Sequence, residues 1–176
     1  MMMNADQSTL VLIDLQEKLM PAISQGQEVV DRSHTLATIA GLLGVPVLAT
    51  EQMPDKLGHN VEAIAELCQQ VITKDHFDAC PDGLIDQLPE GRREVVIAGC
   101  EAHVCMMQTA LSLLEAGFKV WVVADATGSR HDLDRDVALD RLHQSGARIV
   151  TVEMVAFEWM RHAGHPQFRD VQALIK

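Results

Sequence analysis

Three side chains in this sequence have the types needed for nucleophilic catalysis at a carbonyl: Cys105, Lys74 and Asp14. A thiolate attacks, a carboxylate takes the thiol proton, and an ammonium holds the two charges in place. Cys105 falls in the first turn of a helical stretch that follows a strongly apolar strand, Glu94-Val-Val-Ile-Ala-Gly99. Free backbone N–H groups and the positive end of the helix dipole favour a thiolate there and supply donors for an oxyanion. The plainer alternative is a small buried hydrophobe, the commonest fate of a free cysteine. Asp14 ends the apolar run Thr9-Leu-Val-Leu-Ile, where a carboxylate is costly unless it is paired or working. It reads equally as a structural cap. Of the five lysines (Lys18, Lys56, Lys74, Lys119 and Lys176), Lys74 alone directly follows a strand-like run. With no tyrosine anywhere, mechanisms that need a tyrosine acid, base or nucleophile are excluded.

These residues need elements to hold them. Thr9–Asp14, Val45–Thr50, Val71–Thr73, Glu94–Gly99, Phe118–Val123 and Arg148–Val152 read as short buried strands. Helical patterns lie between them: Val29–Leu43, Asn60 to about Cys68 with Asn60 as cap, His103–Ala116, and Asp132 or Asp134 to Ser145. Two short helices follow around Pro166. Gly44, Gly117 and Gly146 each stop a helix before a strand. Apolar strands alternating with helices predict one doubly wound α/β domain over residues 1–176. Its sheet has about six parallel strands with helices on both faces, a Rossmann-like three-layer sandwich. Ligands in such folds bind beyond the carboxyl ends of the strands. That edge carries Asp14 and Gln16, Thr50 to Gln52, Lys74 to Phe77, Gly99 to Cys105, and Asp125 with Gly128 to Arg130. Gln16, Gln52 and Phe77 are the candidate pocket walls.

Composition removes whole classes of function. The 176 residues include 25 acidic and 14 basic side chains, a net charge of −11, and the aromatics are only 2 Trp and 4 Phe. Such a chain lacks the basic stripe and stacking platforms of a nucleic-acid binder. No Gly-x-Gly-x-x-Gly follows the first strand, and neither a P-loop nor a Gly-x-Ser-x-Gly elbow is present. No cofactor is expected. Cys100, His103 and Cys105 are close in sequence, but no second pair has ligand spacing, so no metal is expected either. No apolar run approaches the ~18 residues of a membrane span, and no signal peptide is evident. With four sparse cysteines, a cytoplasmic protein with reduced thiols is expected. His162 and His165 read as a helix end, and Arg130 to Asp136 as a solvated charged helix start.

Leu12-Ile-Asp14-Leu-Gln16, Lys74 at the third strand end, and Gly99-Cys-Glu-Ala-His-Val-Cys105-Met-Met-Gln-Thr109 together resemble the isochorismatase-like cysteine hydrolase superfamily. The resemblance spans essentially the whole chain. It is closest to the small YcaC-like and isochorismatase-domain-containing hydrolases. It implies an Asp14–Lys74–Cys105 triad, a cis peptide before Glu101, and an oxyanion hole formed by the Glu101 and Cys105 amides. The implied reaction is attack of Cys105 on an amide or related carbonyl through a thioester, acting on a small-molecule substrate in a homo-oligomer. The metal site of nicotinamidase relatives, an Asp with several His after the second strand, is not matched by Thr50–His59, which holds one His. Siderophore-pathway isochorismatases lack the nucleophilic Cys, so the presence of Cys105 points away from their vinyl-ether hydrolysis. Two other functions suit the same fold: a catalytically idle oligomeric scaffold, and a redox-sensing thiol with Cys100 as resolving partner.

Overall fold

Strands that are apolar on both faces are stable only between two layers of helices. In the computed structural model, which describes all 176 residues, six strands form the sheet. They are β1 (Ser8–Ile13), β2 (Val47–Gln52), β3 (Gln70–Lys74), β4 (Glu94–Gly99), β5 (Lys119–Thr127) and β6 (Arg148–Val150). Of these, β1, β2 and β4 are buried along their whole length. The helices are α1 (Gly26–Leu42), α2 (Pro54–Leu57), α3 (Glu62–Ala65), α4 (Leu84–Gln87), α5 (Met107–Glu115), α6 (Asp132–Gln144), α7 (Val152–Met160) and α8 (Phe168–Ile175). Every strand pairing is parallel, in the order β3-β2-β1-β4-β5-β6. The expected single α/β domain with a parallel sheet between helices is what forms.

Alternation along the strands divides the core in two. Leu10 and Leu12, Val96 and Ala98, and Trp121 and Val123 face α1, α7 and α8. Val11 and Ile13, Val95 and Ile97, and Val120 and Val122 face α5 and α6. The chain winds outward from β1 to β3, then crosses back to place β4 beside β1. The crevice beyond the β1 and β4 ends is therefore the switch point of the sheet, the usual ligand position in open α/β folds. No helix is long and apolar enough to cross a membrane.

Two elements differ from expectation. Asn60 does not cap a helix to Cys68; only the single turn α3 forms. The Asn60 side chain instead donates to Thr50 O at 3.2 Å, and its backbone bridges to Gln16. The helix expected from His103 begins as one π-helical turn, Ala102–Met106, before α5 continues regularly. Gly99 joins β4 to this turn with φ +115°, a region closed to most side chains. A Cβ there would lie 2.2 Å from Ile13 O, so the close approach of β4 to the end of β1 requires glycine.

Candidate active site

The carboxyl ends of β1, β2 and β3 bring Asp14, Thr50, Gln52 and Lys74 together. Gln52 and Lys74 are register partners across β2 and β3, and Asp14 lies one residue past β1. Asp14 has φ +48°, a left-handed conformation that Asp tolerates better than most residues. This bend sets its carboxylate beside Thr50, whose hydroxyl donates to Asp14 Oδ1 at 2.6 Å and accepts from Asp14 N at 3.2 Å.

Lys74 is fully buried. Its ammonium donates to Gln52 Oε1 at 2.6 Å, Phe77 O at 3.0 Å and His76 O at 3.2 Å. It also meets Asp14 Oδ2 at 2.9 Å, with side-chain exposures of 0% and 1% for the two residues. Asp14 Oδ2 is buried and takes no further hydrogen bond in the protein. Lysine is almost never buried like this without a partner.

Cys105 sits in the π-helical turn, 8% exposed, with its Sγ 4.0 Å from Gln52 Oε1. Burial pushes its thiol up to about 12, Asp14 pushes in the same direction, and Lys74 opposes them. The expectation of a standing thiolate at a helix start is therefore corrected. The desolvation of Cys105 outweighs the nearby positive charge, and the free protein holds the thiol protonated. Cys100, buried in the other half of the core, is driven further upward by burial, while Cys68 and Cys80 are raised to about 11 and about 12.

These shifts fix a sign. A thiol whose folded pKa lies above its unfolded value near 9.0 stabilises the native state below pH 9. That contribution is lost as pH rises from 9 toward 12, on the order of 1 kcal/mol per pH unit for a group like Cys105. The urea midpoint of the wild type should thus fall above pH 9 more steeply than that of Cys105→Ala. Parallel curves would contradict the raised thiol.

The turn that carries Cys105 is fastened on its other side. The Cys100–Glu101 peptide is cis. Ala102 N donates to Gly128 O at 2.8 Å, and His103 meets the buried Ser129 hydroxyl at 2.9 Å. The Glu101 carboxylate accepts from Arg130 N at 2.9 Å and from its Nε at 3.1 Å. Arg130 is therefore not simply part of a solvated charged run; it anchors the turn. The Glu101 amide N–H donates to no protein acceptor and is free for a ligand.

Above the thiol lies a cavity of about 140 Å³. Asp14, Gln52 and Cys105 form its polar floor. Leu19, Leu57, Phe77 and Val104 form apolar walls, and Glu101 completes the rim. Of the three residues expected as walls, Gln52 and Phe77 are present and Gln16 is not. The Gln16 side chain is buried beneath the floor, where it exchanges hydrogen bonds with Gln52: Nε2 to Gln52 O at 2.9 Å, and Gln52 N to Oε1 at 2.8 Å. It holds Gln52 in position rather than facing a ligand. Thr50, Leu19, Leu57 and Arg130 as the partner of Glu101 were not picked out by the sequence as site residues. Thr50 stood among the strand-end residues, but nothing in its type marked it.

No group of three or more His, Cys, Asp or Glu side chains is placed to hold a metal ion. All four cysteines are free thiols. His59 meets Glu51 at 3.0 Å, which raises its pKa by hydrogen bonding and charge; the ring itself is exposed.

Residues 8–154 match the isochorismatase domain. Isochorismatase domain-containing protein 2A of Mus musculus is 38% identical over 174 residues, covering 97% of this chain and 84% of that protein. Isochorismatase domain-containing protein 2 of Homo sapiens is 39% identical over 171 residues, covering 96% and 83%. Among solved structures, the MAR1 ribonuclease of Caenorhabditis elegans superposes with a TM-score of 0.94 at 36% identity, covering 99% of this chain and 92% of that one. The YcaC gene product of Escherichia coli, described as an octameric hydrolase of unknown specificity, shares the fold at a TM-score of 0.86 and 24% identity.

Proposed function

Because the chain belongs to the isochorismatase family, whose members are generally hydrolases, we propose that it hydrolyses a small amide or related carbonyl compound through a Cys105 thioester. One observation carries this reading: the buried Asp14 Oδ2, paired with Lys74 at 2.9 Å and taking no further hydrogen bond, on the floor of the cavity that exposes Cys105. An oxygen placed there has an open lone pair for the thiol proton. Since the thiol is protonated in the free protein, the proton must leave as the substrate is attacked.

In the acylation half, Cys105 Sγ attacks the carbonyl carbon while its proton passes to Asp14. The carbonyl oxygen becomes an oxyanion received by the Glu101 and Cys105 amides. Asp14 returns the proton to the leaving nitrogen, the C–N bond breaks, and ammonia or an amine departs. In the deacylation half, Asp14 takes a proton from water, the resulting hydroxide attacks the thioester, and the C–S bond breaks. The Sγ regains the proton and the acid leaves. Lys74 stays charged throughout, fixing the carboxylate and, through Gln52, the floor.

The test is ammonia release over a panel of small carboxamides, with Cys105→Ala protein as the blank. Turnover of at least one amide, absent from the blank, is expected. The name ribonuclease belongs to the C. elegans relative. A net charge of −11 and a site of about 140 Å³ argue against RNA as this chain's substrate. An RNA oligomer incubated alongside should therefore stay intact. RNA cleaved while every amide survives would replace this proposal.

A further inference from the structure

Both carboxylates that line the cavity are paired, which bears on what the substrate carries. None of the lining residues is Lys, Arg or His. Asp14 is paired with Lys74, and the Glu101 carboxylate is bonded on both oxygens to Arg130. Each carboxylate of the lining is thus paired with one cation, Lys74 for Asp14 and Arg130 for Glu101. An anionic acyl group entering here would find no cation among the lining side chains. A cationic one would find both carboxylates already neutralised. Either would lose its hydration against Leu19, Leu57, Phe77 and Val104 without recovering it.

Size adds a second limit. The cavity of about 140 Å³ is close to the roughly 150 Å³ apolar cavity that takes up benzene. Phe77, 53% exposed, sits at the mouth, and Leu57 is half-buried in the wall.

We infer that the acyl group of the substrate is uncharged, apolar and no larger than a six-carbon ring, the site selecting by charge as well as size. This rests on the cysteine-hydrolase reading above. Any carboxylate or ammonium that the substrate carries lies on its leaving group or is absent. An enzyme supplying this substrate would accordingly make a neutral short-chain or small-ring carboxamide, and the product released is the corresponding apolar acid.

Two haloacetyl reagents of nearly equal size, one neutral and one anionic, test the selection directly. In both reactions Cys105 Sγ forms a bond to the CH₂ carbon as the C–I bond breaks; iodide leaves and the thiol proton passes to Asp14 or solvent. Rates of Cys105 labelling by iodoacetamide and by iodoacetate are measured by peptide mass spectrometry, each divided by the rate with glutathione in the same buffer. The neutral reagent should be favoured at Cys105 by at least about tenfold over the glutathione ratio. Leu57→Arg, which places a free cation in the wall, should erase that preference. A wild-type ratio within twofold of glutathione overturns the inference.

Turnover separates this failure from failure of the parent reading. Butyramide should be hydrolysed and succinamate, of similar reach but ending in a carboxylate, should not. Equal turnover of both overturns the charge selection and leaves the hydrolase standing. No turnover of either, with Cys105 inert to both reagents, overturns the hydrolase and the inference together.

Discussion

Cys105→Ala removes turnover, by more than about 10⁴-fold in kcat, while leaving the fold in place. The first half of this expectation follows from chemistry. Without the sulfur no thioester forms, and neither Asp14 nor the free Glu101 amide can substitute for a nucleophile. The second half follows from packing. Cys105 is 8% exposed, and alanine removes one atom that borders a cavity already there. The cost should stay within about 1 kcal/mol, far from the larger losses of core truncations. Circular dichroism and the urea midpoint check the fold, and ammonia release checks the rate. Rapid acid quench of wild-type protein during turnover should reveal the acyl mass on the Cys105 peptide and on no other cysteine peptide. Cys105→Ser should be nearly as inactive, because a hydroxyl surrenders its proton far less readily than a thiol. Wild-type activity in Cys105→Ala would end the cysteine mechanism and favour an idle scaffold or a different nucleophile.

The three catalytic candidates were legible for separate reasons, and each reason was local. Asp14 stood out against an apolar strand, Lys74 against a chain poor in lysine, and Cys105 against the strand and glycine before it. The parallel sheet then had to bring those strand ends to one edge, as its order does. What stayed hidden was the consequence of tertiary packing. Thr50 matters because it is beside Asp14 across β1 and β2, a relation that no property of threonine announces. Arg130 holds Glu101 from 29 residues away, after β5 has crossed the sheet and returned. Gln16 sat on the right edge with the right chemistry, yet its amide turns under Gln52 because the Gln52 backbone is there to pair with it. The thiol shows the same division. Helix position argued locally for a thiolate, whereas burial of the turn, visible only once the layers are stacked, argues more strongly for the thiol.

Lys74→Met should destabilise the protein by about 3–5 kcal/mol and also abolish turnover, whereas adding Asp14→Asn should restore part of the stability and none of the activity. The single change strands a carboxylate that is 1% exposed and whose counter-ion lay 2.9 Å away, the situation in which a buried pair costs most to break. It also leaves the Phe77 and His76 carbonyls and Gln52 Oε1 without their donor. Asp14→Asn alone leaves the mirror fault, a buried ammonium facing a neutral amide. In the double variant neither charge remains, the asparagine amide can still bond Thr50, and methionine fills the lysine stem. The two substitutions should therefore couple by about 1–3 kcal/mol in a double-mutant cycle of urea unfolding. Additive losses would mean that Asp14 and Lys74 do not sense each other, and Asp14 could not then be the carboxylate that Lys74 holds for the thiol proton. Coupled stability with dead activity has the opposite meaning. Such a pair adds little to folding that apolar residues of equal volume would not, so that outcome would assign its presence at the floor of the cavity to the proton it moves rather than to the stability it confers.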